Sequence, residues 1–271
     1  MNQARRRRVA LAPVIAILAV LLYYTLARKV NGEHASKPLA IAHRGGAVHQ
    51  PENTLAAFRQ AVADGVGWLE FDVQRSADGE LVVFHDTTVE RTTDGTGAVA
   101  DKTLAELRAL DAGHGQRIPT LAEVLAYAKE AGVGIMPELK QPERYPGIER
   151  QLVEQIAAAG YLDHAVVQSF APVTLAAVQA LAPTIQTCQL TGVGQFDVRR
   201  SNPTGAASVC LMAEMVLLRP TLIGQAHDDG RQAYVWFGAV EHPWTMRLLL
   251  WLGADGLMVD DHQALMRILA R

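Results

Sequence analysis

From Pro38 onward the chain alternates short apolar segments with amphipathic ones, and no other feature constrains its fold as strongly. Strand-like runs recurring between helix-like runs imply βαβ units and a parallel sheet. Nine strand segments are expected: Leu39–Ala42, Trp68–Val73, Leu81–Phe84, Gly134–Glu138, Ala165–Ser169, Ile185–Leu190, Ala207–Leu211, Tyr234–Phe237 and Gly256–Val259. Only Gln74 to Glu80 separate the second from the third, whereas a parallel crossover needs about a dozen residues. Those two must pair antiparallel, turned by Asp78-Gly79, so the third is a return strand above the open end. Eight strands remain, and the α/β class narrows to a (β/α)8 TIM-type barrel. A length of 271 residues accommodates one such domain, because single barrels take about 250.

Two of the intervening helices are legible from spacing. Thr54 to Ala63 places Leu55, Phe58 and Val62 three and four residues apart, and Thr120 to Glu130 repeats the pattern with Leu121, Val124 and Leu125.

Ahead of the barrel, Val9 to Ala27 form an apolar run of 19 residues without a charge. About 20 residues span a bilayer as a helix, so residues 1–29 are expected to be a basic N-terminus with a single transmembrane helix, Tyr23 and Tyr24 sitting at the membrane interface. Four arginines, Arg5 to Arg8, precede the run and only Arg28 and Lys29 follow it. That bias predicts a cytoplasmic N-terminus and an extracytoplasmic domain on a single-pass protein of the cell membrane. A cleaved export signal is the competing reading, but the apolar core is long for one and no small-x-small site follows it closely. Residues 30–37 are the expected linker and 38–271 the barrel.

Charge argues against a nucleic-acid partner. Six of the 25 Lys and Arg lie before residue 30 and none of the 28 Asp and Glu does, which leaves 19 basic against 28 acidic residues, a formal charge of −9, on the remainder. No broad basic field exists there, so an anionic small-molecule or lipid-derived substrate needs a local cation. Cys188 and Cys210 form no metal-binding spacing and read as two buried thiols, with a disulfide open if the domain is exported. Oligomeric state is left open.

Glu70 and Asp72 lie two apart on one strand, and the strand period of two points both carboxylates to the same face. Two carboxylates facing inward repel one another and cost several kcal/mol to desolvate, so a cation or basic partner must join them. Glu138 offers a third at the end of a later strand, with Lys140 on the same side. Three oxygen ligands suit one divalent cation, Mg²⁺ or Ca²⁺, rather than zinc. His43 and Arg44 end the first strand just before Gly45-Gly46, where a turn can leave room for a ligand, and His85-Asp86 ends the return strand. Two imidazoles at one cleft can divide base and acid roles, while a guanidinium grips phosphate oxygens in a fork.

The run His43-Arg44-Gly45-Gly46, Pro51-Glu52-Asn53-Thr54, Glu70-Phe71-Asp72-Val73-Gln74, Asp78-Gly79, His85-Asp86 and Arg91-Thr92-Thr93 resembles the glycerophosphodiester phosphodiesterase family in order and spacing. Ile118-Pro119-Thr120-Leu121, Pro137-Glu138-Leu139-Lys140, Gln168-Ser169-Phe170 and Gly253-Ala254-Asp255-Gly256 extend the resemblance to the end of the chain. The resemblance implies a barrel, a divalent cation on Glu70, Asp72 and Glu138, acid and base roles for His43 and His85, and a phosphate held by Arg44 and Lys140. The implied reaction releases glycerol 3-phosphate and an alcohol. Where the family commonly has Trp-Thr-Val-Asn this chain reads Trp236-Phe237-Gly238-Ala239, keeping Trp236 as a wall of the mouth. Lost polarity there, with the apolar stretch Leu211 to Leu218 nearby, keeps a lysophospholipase D-like preference for lysophospholipids open; the stretch also reads as plain core. A non-catalytic, membrane-anchored barrel that binds a lipid or protein is the reading of another class.

Overall fold

In the computed structural model, which describes residues 3–32, 37–198 and 205–270, nine strands form in chain order. They are β1 (Leu39–Ala42), β2 (Trp68–Arg75), β3 (Leu81–Val83), β4 (Gly134–Leu139), β5 (Val166–Ser169), β6 (Gln186–Leu190), β7 (Ser208–Met212), β8 (Gln232–Trp236) and β9 (Gly256–Val259). Parallel pairing runs from β2 through β4 to β9, and β1 pairs with both β9 and β2, which closes an eight-stranded barrel. β3 folds back antiparallel on β2, with Val73 opposite Val83, and Gly79 takes the positive φ of 94° that the hairpin turn requires. Each expected strand therefore forms within two residues of its expected bounds.

Ten α-helices accompany the strands among the described residues: α1 (Gln3–Asn31), α2 (Leu55–Ala63), α3 (Leu104–Ala109), α4 (Leu121–Ala131), α5 (Ile148–Ala158), α6 (Pro172–Leu181), α7 (Ala213–Leu218), α8 (Leu222–Asp228), α9 (Pro243–Leu252) and α10 (His262–Leu269). Local chemistry explains their starts. The Thr54 hydroxyl caps α2 by accepting from the Ala57 N–H, and Thr120 with Glu123 forms a reciprocal capping box on α4.

The core has two layers. Ile41, Met136, Val166, Cys188, Leu190, Cys210, Tyr234 and Met258 fill the barrel interior, while Phe58, Leu69, Phe71, Leu121 and Val124 are among those packing helices on its outside. Cys188 and Cys210, on adjacent strands, are joined as a disulfide across a Cα–Cα distance of 6.0 Å, which corrects the reading of two buried thiols. Leu211, Ala213, Met215 and Val216 are buried, so most of the apolar stretch is core, with only Leu218 exposed.

α1 runs to Asn31, two residues into the expected linker, and residues 33–36 of that linker lie outside the described residues. The expected span Val9–Ala27 includes residues 9–12 and 14, whose side chains are likewise not described. Among the described residues no helix is long and apolar enough to cross a membrane. Tyr23 and Tyr24 bind the barrel rather than standing free: their hydroxyls donate to the carbonyls of Leu218 (3.0 Å) and Leu217 (2.8 Å).

Candidate active site

The register of β2 on β4 places Asp72 directly beside Glu138, and the pleat puts Glu70 one inward step below Asp72. All three are buried, and one carboxylate oxygen from each lies within 4.8 Å of the others. Glu70 accepts from the Arg44 backbone N–H at 2.8 Å and the Gln168 amide at 2.9 Å. Asp72 accepts from the Asn53 amide at 2.8 Å, and its Oδ1 takes no hydrogen bond, having only the Lys140 ammonium 3.2 Å away as an ion pair. Glu138 meets the same ammonium at 2.8 Å.

Burial, then the charges of Asp72 and Glu138, push the Glu70 carboxyl well above the usual carboxylate range. Burial and Asp72 raise Glu138 as well, against the pull of Lys140. Asp72 is held low despite its burial, because Lys140, Arg44 and His85 surround it. Three all-oxygen donors that repel one another this way, one with an oxygen that accepts no hydrogen bond, fit a divalent hard cation.

His43, just past β1, and His85, delivered by the β3 return, both line a cavity of about 340 Å³ at the open end of the barrel. His43 Nδ1 bonds Asp260 at 2.8 Å and His85 Nδ1 bonds Asp86 at 2.6 Å, so each ring has its second nitrogen clear of that partner. Burial disfavours the charged form of His43, but the Asp260 hydrogen bond and the Glu70 charge outweigh it and hold the ring above its ordinary value. His85 moves the other way: burial, with Lys140 and Arg44, keeps it below its ordinary value.

Arg44 and Lys140 line the same cavity. The Arg44 guanidinium bonds Glu52 at 3.0 Å and faces Asp72 at 3.5 Å, and Arg91 clamps Glu52 and Asp86 from outside. Arg44 and Asn53 both adopt left-handed backbone, with φ of 51° and 57°, a conformation asparagine takes readily but arginine keeps only where the surroundings enforce it. Gly45 and Gly46 also have positive φ, and a side chain on them would strike Ala57 and the His262 ring, so they serve close packing rather than room for a ligand.

On the opposite wall Trp236 stands edge-on to Phe170, 6.0 Å between centroids, beside Leu190, Phe237 and Met258, and its indole N–H donates to the Thr191 carbonyl at 3.1 Å. His43, Arg44, Glu70, His85, Glu138, Lys140 and Trp236 thus line this one mouth, and Asp72 lies buried beside Glu138 at its floor. Asp260 was missed, since nothing in the sequence links it to His43. Asn53, Gln74, Gln168 and Phe170 stood in the motifs without assigned roles. Gln74 donates to the carbonyls of Phe84, His85 and Asp86 while its own oxygen accepts from Tyr145, which fixes the His85 loop.

A sequence model described as the glycerophosphoryl diester phosphodiesterase family matches residues 43–264. The chain is 33% identical over 248 residues to a glycerophosphodiester phosphodiesterase of Caldanaerobacter subterraneus subsp. tengcongensis, covering 87% of this chain and 99% of that one. It is 33% identical over 263 residues to a glycerophosphodiester phosphodiesterase of Bacillus subtilis, covering 86% and 87%. Among solved structures, an Oleispira antarctica phosphodiesterase in complex with the product sn-glycerol-3-phosphate superposes with a TM-score of 0.72 at 28% identity, covering 86% of this chain and 96% of that one. Matched across most of its length in both sequence and fold, the chain belongs to the glycerophosphoryl diester phosphodiesterase family and is an enzyme, which sets aside the reading of a non-catalytic barrel.

Proposed function

We propose that this enzyme hydrolyses glycerophosphodiesters to glycerol 3-phosphate and an alcohol at the mouth bounded by His43, His85, Glu70, Asp72 and Glu138. The observation that carries the reading is the meeting of three buried carboxylates with two separately oriented imidazoles in one cavity. Glu70, Asp72 and Glu138 would hold one Mg²⁺ or Ca²⁺. Such an ion offsets phosphate charge and polarises a phosphoryl oxygen when bound.

Arg44 and Lys140 hold the phosphate from their places on the cavity wall. His85, kept below its ordinary value, is suited to accept a proton from an attacking water, or from the neighbouring glycerol hydroxyl, whose attack would form a cyclic phosphate that a water then opens to glycerol 3-phosphate. His43, kept above its ordinary value by Asp260, is suited to donate one to the departing alcohol oxygen. Asp260 and Asp86 orient the two rings.

Each proton-transfer role is worth about 10²- to 10⁴-fold, so His43→Ala and His85→Ala should each lose that much turnover of glycerophosphocholine with the fold intact by circular dichroism. Near-full activity in either variant would remove it from the chemistry. Excess EDTA should stop hydrolysis, and added Mg²⁺ or Ca²⁺ should restore it; rates indifferent to both would take the cation out of the reading.

A second reading, lysophospholipase D-like action on lysophospholipids, is favoured by the apolar wall of Phe170, Leu190, Trp236, Phe237 and Met258. Comparing glycerophosphocholine with lysophosphatidylcholine separates the two. We further propose that residues 9–27 anchor the chain in the cell membrane with the N-terminus cytoplasmic and the barrel outside. The charge-free run flanked by Arg5 to Arg8 supports this, as does the Cys188–Cys210 bridge, since disulfides persist in oxidising compartments.

A further inference from the structure

The direction in which α1 leaves the barrel is set by a few hydrogen bonds. At its C-terminal end, Asn31 donates to the carbonyls of Leu252, at the end of α9, and of Pro220, while its amide oxygen accepts from the Gly224 N–H. α9 runs from the open end of the barrel toward the base, so Leu252 marks the base side. Seven residues earlier the Tyr24 hydroxyl reaches the Leu217 carbonyl on α7. α7 starts at the open end, where its Glu214 accepts from the N–H groups of Gly238, Ala239 and Val240 just past β8, and its far end, which carries Leu217, leads on to Pro220, so Leu217 lies on the mouth side of the Asn31 contacts. Read toward its N-terminus, α1 therefore climbs from base to mouth. Beyond the docked Tyr23 and Tyr24, the charge-free residues 9–22 continue past α7 and at 1.5 Å per residue reach about 21 Å further, most of the thickness of a bilayer's hydrocarbon core, with Arg5 to Arg8 beyond them.

A second observation comes from the barrel itself. Outside α1, the exposed large apolar side chains among the described residues are Val48 (63%), Phe170 (47%), Val173 (76%), Val193 (79%), Leu218 (66%), Trp244 (58%) and Trp251. All but Trp251 lie on segments that follow the C-terminal ends of strands, around the mouth, and they come from five different loops or helix starts. Single exposed apolar residues are ordinary, but here six stand at the mouth end and one, Trp251, elsewhere, so the exposed apolar side chains of the barrel are gathered at one end. On α1, Ile15, Ile17, Leu18, Val20, Leu21 and Leu22 are likewise more than half exposed, on the stretch leading past that end.

We propose that the open end of the barrel rests against the bilayer surface, its apolar rim dipping into the headgroup region, so that lipid-embedded phosphodiesters enter the cavity directly from the membrane. This rests on the anchor reading above and adds an orientation to it: the docked end of α1 holds the mouth toward the membrane instead of leaving the barrel on a free tether. Tryptophan at the rim suits that environment, since its ring is apolar and its N–H stays wet.

The test uses the full-length protein in phosphatidylcholine vesicles. The double variant Val173→Glu/Val193→Glu places charges on the rim outside the cavity lining. It should lower turnover of vesicle-embedded lysophosphatidylcholine at least tenfold relative to wild type while leaving turnover of soluble glycerophosphocholine within twofold. In vesicles of brominated phosphatidylcholine, tryptophan emission should be quenched, and Trp244→Phe should remove much of the quenching. Equal rates on the embedded substrate together with quenching unaffected by Trp244→Phe would overturn the orientation. Failure of the anchor reading has a different signature, release of wild-type protein from membranes by carbonate washing, and failure of the activity reading shows as no turnover of either substrate.

Discussion

The two halves of the barrel mouth contrast sharply in chemistry. Strands β1, β2, β3 and β4 and the residues just past them bring His43, Arg44, Glu70, Asp72, His85, Glu138 and Lys140 to one side, tied together by ion pairs. Strands β6, β8 and β9, with the residues just past β5 and β8, bring Leu190, Trp236, Met258, Phe170 and Phe237 to the other, where a single indole hydrogen bond fixes the aromatic wall. The first half is a mutually dependent network: each buried charge there is tolerable only because others face it, so removing one member leaves its partners unpaired. The second half consists of separable contacts that shape a surface. Chemistry and preference for the leaving alcohol are thus divided between the two sides, as barrel folds allow when loops vary independently.

Substitutions on the charged side should produce the largest effects. Asp72→Asn leaves Lys140 and Arg44 without their shared acid and removes a cation ligand, and we expect a loss of roughly 10³-fold or more in kcat/KM, on the scale set by removing acid–base groups. A loss below tenfold would show that the network is not a unit. Asp260→Asn is a milder intervention on the same side. Turnover should rise with pH as His85 loses its proton, below the ordinary imidazole value, and fall as His43 loses its own, above it. Removing the Asp260 charge should bring the alkaline limb to lower pH while leaving the acid limb in place, which a merely structural role for Asp260 would not do.

On the apolar side, Trp236→Ala should raise KM for lysophosphatidylcholine by about tenfold, with kcat for glycerophosphocholine little changed, in line with about 1–3 kcal/mol for a lost apolar contact of substrate size. An equal loss of kcat on both substrates would erase the division between the halves. The smallest effect on activity is expected from the disulfide, which closes a separation of 22 residues between β6 and β7 beneath that wall. Reduction should lower stability by about 3 kcal/mol, read as a fall in Tm, with kcat at 25 °C nearly intact.

How much of this was legible beforehand differs between the halves in the same way. The charged side is dense in motif residues because chemistry restricts residue type, and period-two alternation alone places Glu70 and Asp72 on one face. The apolar side offered only Trp236 and a departure from the family's pattern, since many apolar residues satisfy the same wall. Leu211 to Leu218 read from the sequence both as core and as a possible substrate contact, and it is mostly core; periodicity alone cannot tell a cavity lining from packing.

The order of short apolar segments, their spacing and the Asp78-Gly79 turn determined by themselves that eight strands alternate with helices and that one short strand returns to deliver His85. Those are local matters of side-chain period and chain length. Only the tertiary structure decided that Asp72 stands beside Glu138, that Asp260 reaches His43 across 217 positions, that Cys188 meets Cys210, and which way α1 points from the barrel. Strand register, barrel closure and helix docking are settled by packing between distant segments, and no local pattern encodes such distances.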